Sequence, residues 1–287
     1  MVSTAESGDL TAARRLWILK DLPPYRPVAR KLMTLTSAPE VPLARIQEVL
    51  RTDAAFSADV LRLANSPLIG TRGAVRSILH AVMMLGLERV KSLATTLALK
   101  SFLNSCAPTA SIEVCWRHNL ATAIVCEKLA DSFEIDPDTC YTAGLLHDIG
   151  RLALLRTRST AYENIFSSAR GPDFDLLKSE IALFGVDHCQ AGQWVLEQWE
   201  FPKELCEVAS LHHTPPRPGA SDLLRIVYAG WRIADLIGFS ELKHPAGTEI
   251  AAIDSVLPGN ISRRLIDECG LADEVAYKIN AIECSLI

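Results

Sequence analysis

The chain has no apolar run approaching the ~18 residues that a membrane-spanning helix needs. Its most hydrophobic stretch, Leu93 to Leu99, holds two threonines and lies between Lys91 and Lys100. A helical membrane span is therefore not expected. The first residues carry no basic segment followed by an apolar core, so no secretion signal is read, and a soluble, cytoplasmic protein is expected. Basic residues form no stripe. The 29 Lys and Arg against 34 Asp and Glu leave a formal charge of −5, and arginines occur singly or as the pairs Arg14–Arg15 and Arg263–Arg264. That pattern argues against a large nucleic-acid footprint. The eight cysteines include no Cys-x-x-Cys pair, and a chain of 287 residues does not depend on disulfide staples. They read as reduced thiols used as small core residues. There is also no Gly-rich phosphate loop, no pair of base-stacking aromatics, no internal repeat and no sustained strand-like alternation.

What is present is helical periodicity. Hydrophobic residues make up 49% and charged residues 22%, enough apolar material for a real core. Leu43, Ile46, Val49 and Leu50 keep one helix face apolar, and Phe56, Val60, Leu61 and Leu63–Ala64 do the same in the next segment. Turn signals fall at Leu22-Pro23-Pro24, Ala38-Pro39 and Asn65-Ser66-Pro67, while Gly86 separates helices around Val75–Leu85 and Glu88–Leu103. Asn104 to Thr109, containing Pro108, is the expected internal boundary. Beyond it a long helix is expected over Ile112–Phe133. Asp136-Pro137 reads as an N-cap followed by proline at the first helical position of a helix carrying Thr139 through Leu155. Further helices are expected over 159–169, 173–184, 187–199, 202–213 and 221–239, with two more near the C-terminus. The fold class is all-α.

Of seven histidines, five fall between residues 118 and 213. His147-Asp148 is an imidazole–carboxylate pair set in apolar helical sequence between Gly144 and Gly150, and His212-His213 is a doublet at a helix end. Imidazole and carboxylate together suit divalent iron, manganese, zinc or magnesium, and a pair of such ions clamps and activates water beside a phosphate ester. Adjacent helical residues point about 100° apart, so both members of the pair can approach one ion from the same edge. A buried, unpaired Asp148 would be costly, and it calls for a metal, a histidine or several donors. The plainer alternatives stand beside this: a hydrogen-bonded core pair at 147–148, a satisfied core histidine at His118, and a doublet placed at a helix C-terminus because protonated imidazole suits that end of the dipole.

At these residues the sequence resembles the HD superfamily of metal-dependent phosphohydrolases, in its HDOD branch (HD-related output domain). Leu22-Pro23-Pro24 resembles the opening of that region, Leu63-Ala64-Asn65-Ser66-Pro67 its Leu-Ala-Asn-Ser signature, and Ala81 through Leu85-Gly86 its Ala-x-x-x-Leu-Gly turn. Gly144-Leu145-Leu146-His147-Asp148-Ile149-Gly150 is similar to the superfamily's defining segment. The resemblance implies an N-terminal HDOD-specific helical bundle over residues 1–108, packed on an HD-like helical domain over 109–287. It implies His118, His147, Asp148 and Asp235 as ligands of one divalent ion, with His188, His212 and His213 corresponding to second-ion ligands of the HD-GYP relatives that hydrolyse cyclic diguanylate. Two features depart from those relatives. The histidine doublet runs into Thr214-Pro215-Pro216-Arg217-Pro218 rather than toward Gly-Tyr-Pro, and Arg151 stands where they place a lysine; guanidinium and ammonium are not equivalent. The expectation is a bacterial-type signal-transduction output module acting through a signalling protein partner or a small nucleotide ligand. The alternative is a metal-dependent phosphohydrolase in which Asp148 and Arg151 carry the catalysis, cyclic diguanylate not being its substrate.

Overall fold

The computed structural model describes residues 19–20, 22, 24–34, 43–66, 69, 74–104, 109–168, 174–241, 249–258 and 270–286. Among them every regular element is helical. Pro23, Pro39, Pro67, residues 105–108 with Pro108, and the arginine pairs at 14–15 and 263–264 lie outside the described residues. So does the middle of the expected boundary between the two halves.

In the first half, α1 (Pro27–Thr34), α3 (Ala54–Ala64) and α4 (Ile78–Leu85) pack on the long α5 (Leu87–Asn104), and α2 (Leu43–Arg51) packs on those three shorter helices. Asp53 caps α3 by accepting from the Phe56 amide at 2.9 Å, and Gly86, at φ 83°, ends α4 in a conformation that side chains with a Cβ resist. Asn65 closes α3. Its Nδ2 donates to Leu61 O at 2.8 Å and Val75 O at 2.9 Å, and its Oδ1 accepts from Val75 N at 2.7 Å. This asparagine is the clasp of a turn, in line with its place in the sequence signature.

The second half is built on α6 (Ala110–Leu129), started by a Thr109 cap and continued by a 3-10 turn to Phe133. Against it pack α7 (Pro137–Leu146), α13 (Asp222–Ala234) and α15 (Leu271–Ser285). The closest approaches pass through small residues. A Cβ on Gly144 of α7 would sit 2.9 Å from Ala123 Cα, and one on Gly230 of α13 would sit 2.4 Å from Cys126 Sγ. Cys126 therefore fills the wedge between three helices, a core thiol as its apolar context suggested. A second layer comprises α8 (Ile149–Thr157), α9 (Ser159–Ser168), α10 (Leu176–Phe184), α11 (His188–Gln198) and α12 (Lys203–Leu211), with α11 lying on both α8 and α12. A short α14 (Glu249–Asp254) follows α13.

One apolar core runs through both halves. An aromatic cluster ties them: Trp199, after α11, lies 4.9 Å from Tyr25 and 5.5 Å from Phe102, ring centre to ring centre, with Phe201 5.2 Å from Tyr25. Rings of this size dominate packing energy because each hides a large apolar area. Of the cysteines, 115, 126, 140, 189, 206 and 284 are free thiols. No described helix is long and apolar enough to cross a membrane.

The structure corrects one local expectation. His147 and Asp148 do not lie inside a continuous helix: α7 ends at Leu146, α8 begins at Ile149, and the pair forms the turn between them. Asp148 holds φ −108°, ψ 23°, and its carbonyl accepts from Arg151 N at 3.1 Å. Aspartate at the start of a helix ordinarily caps it with its own carboxylate, yet Asp148 makes no such bond. The side chain is buried instead.

Candidate metal centre

Three helix ends and the middle of a fourth helix converge on this turn. His118 comes from the middle of α6, His147 and Asp148 from the α7–α8 turn, and His188 from the first position of α11. His212 and His213 follow the end of α12, and Asp235 opens the π-helical turn Asp235–Phe239 after α13. His147, Asp148 and His212 are each 1% exposed and His188 is fully buried, whereas His213 is half-buried. Gly150 makes the convergence possible, since a Cβ there would lie 1.9 Å from the carbonyl oxygen of His188.

Four of the histidines share one arrangement. His147 Nδ1 donates to Gly144 O at 2.7 Å, His212 Nδ1 to Ala209 O at 3.0 Å, and His118 Nδ1 to Phe239 O at 2.9 Å. His188 Nδ1 donates to Glu180 Oε2 at 2.7 Å. When Nδ1 carries and donates the ring proton, the Nε2 lone pair is left for a ligand, and this second layer of partners is how proteins orient metal-binding imidazoles. Asp148 Oδ1 lies 3.3 Å from His188 Nε2 and 3.7 Å from His212 Nε2. Asp148 Oδ2 lies 2.9 Å from Arg151 Nη1, yet neither carboxylate oxygen has hydrogen-bond geometry to any partner, and His212 Nε2 is likewise buried without one. Buried polar atoms are seldom left this way, and a divalent cation would satisfy them together.

The electrostatics agree with that reading. Burial holds His118, His147 and His212 down to about 3, and it pushes His213 well below the usual imidazole value. These rings are neutral at pH 7, the form that binds metal. The alternative of a protonated doublet completing the α12 dipole does not hold here, because desolvation outweighs that attraction. His188 is the exception. Burial opposes its charge, but Glu180, Cys189 and Asp148 raise it well above the usual value. Burial would also raise Asp148, but Arg151 and the surrounding imidazoles hold it well below the carboxylate range.

Ligand atoms fall into two sets, each with members within 4.8 Å of one another: His118, His147 and Asp148, and His188, Cys189, His212 and His213. Asp235 touches the centre from the side, its Oδ1 3.4 Å from His118 Nδ1. Arg151 is buried between the sets, with Nη1 on Asp148 and Nη2 3.3 Å from His188 Nε2. The residues present fit a divalent ion by donor type, tautomer and uncompensated polarity.

Three site residues escaped the sequence reading. Glu180, fully buried in α10, accepts from His188 N at 2.8 Å and from the Tyr162 hydroxyl besides holding His188 Nδ1. Glu241 ion-pairs with Arg151 and keeps only 2% of its side chain exposed. Cys189 joins the second ligand set. Only the Asp187 cap, accepting from Gln190 N at 2.8 Å, carried a sequence signal, and it marks the helix start rather than these side chains.

Comparison with known proteins places the fold. A candidate phosphohydrolase from Shewanella amazonensis SB2B has 23% identity and a TM-score of 0.72, with 96% of this chain and 98% of that one aligned. An HDOD domain protein of unknown function from Geobacter sulfurreducens has 22% identity and a TM-score of 0.75 over 96% and 97%. A candidate signal transduction protein from Marinobacter aquaeolei VT8 has 22% identity and a TM-score of 0.74, covering 99% of this chain and 67% of that one. At such identities the likeness concerns the fold. No curated protein matches the chain. The HDOD domain model matches residues 22–215, a span that holds His118, the His147–Asp148 turn, His188 and the His212–His213 doublet, and the chain belongs to the HDOD domain family.

Proposed function

We propose that this chain is a regulatory output module whose buried histidine–aspartate centre holds a divalent metal ion and that acts through a protein partner or a small nucleotide, not through turnover. One observation carries the reading. Arg151, the cation beside Asp148 that would meet a substrate phosphate, already has the Glu241 carboxylate paired to it in a buried contact. A phosphoryl group would have to displace that carboxylate before reaching the guanidinium. His118, His147 and Asp148 would hold the ion, Asp235 would orient His118, and the ion would supply Lewis acidity in any chemistry of the site. The name of the Marinobacter aquaeolei neighbour, a candidate signal transduction protein, supports the same reading.

A second reading has its own support. Arg151 is fixed 2.9 Å from Asp148, where a guanidinium would steady charge developing on a phosphate ester, and two Shewanella amazonensis neighbours bear phosphohydrolase names. The experiment that separates them begins with metal analysis of protein purified without chelator, wild type beside Asp148→Ala. The loaded protein is then incubated with cyclic diguanylate and with a generic phosphodiester. Bound iron, manganese or zinc that disappears from the folded Asp148→Ala variant, without turnover, supports the module. Turnover abolished by Asp148→Ala makes the protein a hydrolase. A metal-free wild type after reconstitution removes the metal from both readings.

A further inference from the structure

A thiol stands among the imidazoles of the second ligand set. Cys189 follows His188 in the first turn of α11, and its Sγ lies within 4.8 Å of a ring nitrogen of each of His188, His212 and His213, which also lie that close to one another. Tetrahedral ligands at about 2.0–2.3 Å from zinc stand about 3.3–3.8 Å apart, so small rotations would close this set on one ion. An independent observation points the same way. His212 Nε2 is buried and has no hydrogen-bond partner, although His212 Nδ1 is fixed on Ala209 O. His188 is oriented alike, its Nδ1 held by Glu180. The site thus has one ring, His212, pinned with its second nitrogen open, a second, His188, pinned with its Nε2 3.3 Å from Arg151 Nη2, a third ring 4.4 Å from His212 between ring centres, and a sulfur beside them.

We propose that Cys189 is a metal ligand, completing with His188, His212 and His213 a closed three-histidine, one-thiolate site. This rests on the reading that the centre binds metal. A thiolate donor selects a thiophilic ion, zinc or iron(II), over magnesium or manganese. Four protein donors leave no open coordination position, the hallmark of a structural site. The second ion would then brace α11 against the end of α12, while the His118, His147 and Asp148 set keeps a position open for a ligand. The cysteine thus separates this half of the centre from one built to hydrolyse.

Cobalt(II) reports the difference without any need for turnover. The full-length protein is stripped of metal, reconstituted with cobalt(II) and followed by absorption, with zinc affinity measured by competition against a chromophoric chelator. The expected wild-type spectrum combines visible ligand-field bands with a near-ultraviolet sulfur-to-cobalt charge-transfer band. Cys189→Ser should remove that band and weaken zinc binding by at least about tenfold. Cys206→Ser, a buried thiol of α12 outside the set, should change neither. Ligand-field bands without charge transfer in the wild type, or a charge-transfer band that survives Cys189→Ser, would overturn the assignment while leaving the metal centre standing. Absence of cobalt binding altogether would overturn both. The wild-type spectrum decides the matter even should the serine variant fail to fold.

Discussion

Replacing Gly150 by alanine tests the close approach on which the centre depends. A methyl group there would lie 1.9 Å from His188 O, 2.4 Å from Gly192 N and 2.9 Å from Gly192 Cα. These are backbone atoms of α11, so no side chain can rotate away. Restoring ordinary contact near 3.4 Å to the carbonyl oxygen requires α8 and α11 to part by about 1.5 Å. Overpacking of a core costs about 1–3 kcal/mol and more when backbone must move, against a gain of about 1 kcal/mol from the helix preference of alanine. Because backbone must move here, the upper end of that cost applies, and a net loss of about 2 kcal/mol or more is expected in urea denaturation of the metal-free protein. Because the nearest atom belongs to His188, the same displacement pulls His188 Nε2 from its 3.3 Å position at Asp148, and bound metal should fall as well. Gly192→Ala is the matched control on the facing helix. Its Cβ would meet Gly150 N at 3.3 Å and Ala209 Cβ at 3.4 Å, so the cost should stay within about 1 kcal/mol. Equal stability of Gly150→Ala and wild type would refute the reasoning, as would equal damage from the two substitutions.

Other outcomes follow from the electrostatics and the second layer. Glu180→Gln leaves a similar shape but removes the charge that holds His188 Nδ1, and metal affinity measured by competition should drop on the order of 10–100-fold with unchanged far-ultraviolet circular dichroism. His118, His147 and His212 are held to about 3 by burial, whereas the unfolded chain takes up protons near ~6.5. Between those values the unfolded state binds more protons, so metal-free protein loses stability as pH falls from 6.5, with a limiting slope of about 4 kcal/mol per pH unit for three rings. His188 acts in the opposite sense: its raised value contributes stability that is complete below the unfolded value and lost as pH rises through the folded one. Urea midpoints that stay level from pH 6.5 to 5 would contradict the buried neutral rings. Metal-loaded protein should release no linear product from cyclic diguanylate, as chromatography of the nucleotides would show.

How far the sequence reached is best judged at particular residues. A helix start was legible where one residue sets the chemistry, as at Asp136-Pro137, whose aspartate accepts from the Thr139 amide, whereas the helix expected from Ile112 starts at Ala110 behind a Thr109 cap. The break at His147–Asp148 was not. Leu145, Leu146, Ile149 and Leu152 continue a helical apolar pattern across it, all of them buried, and a two-residue turn disturbs that period too little to be seen. The histidine and aspartate positions could be named because chemistry of that kind leaves residue types in the sequence. Their partners leave none. Glu180 in Leu176–Phe184 reads as a solvated acid two places from Lys178, and it enters the core only because α10 lays it against His188 and Tyr162. Glu241 reaches Arg151 only because the chain turns back after α13, with Gly238 at φ 98° supplying a conformation closed to most side chains. Cys189 shows the limit most clearly. In sequence it was read, with Cys126 and the other cysteines, as a reduced core thiol, and packing set one in a wedge between helices and the other beside a ring of imidazoles. What a side chain is was readable; what it faces depends on contacts between helices far apart in the chain, and the behaviour of a centre such as this one is set there.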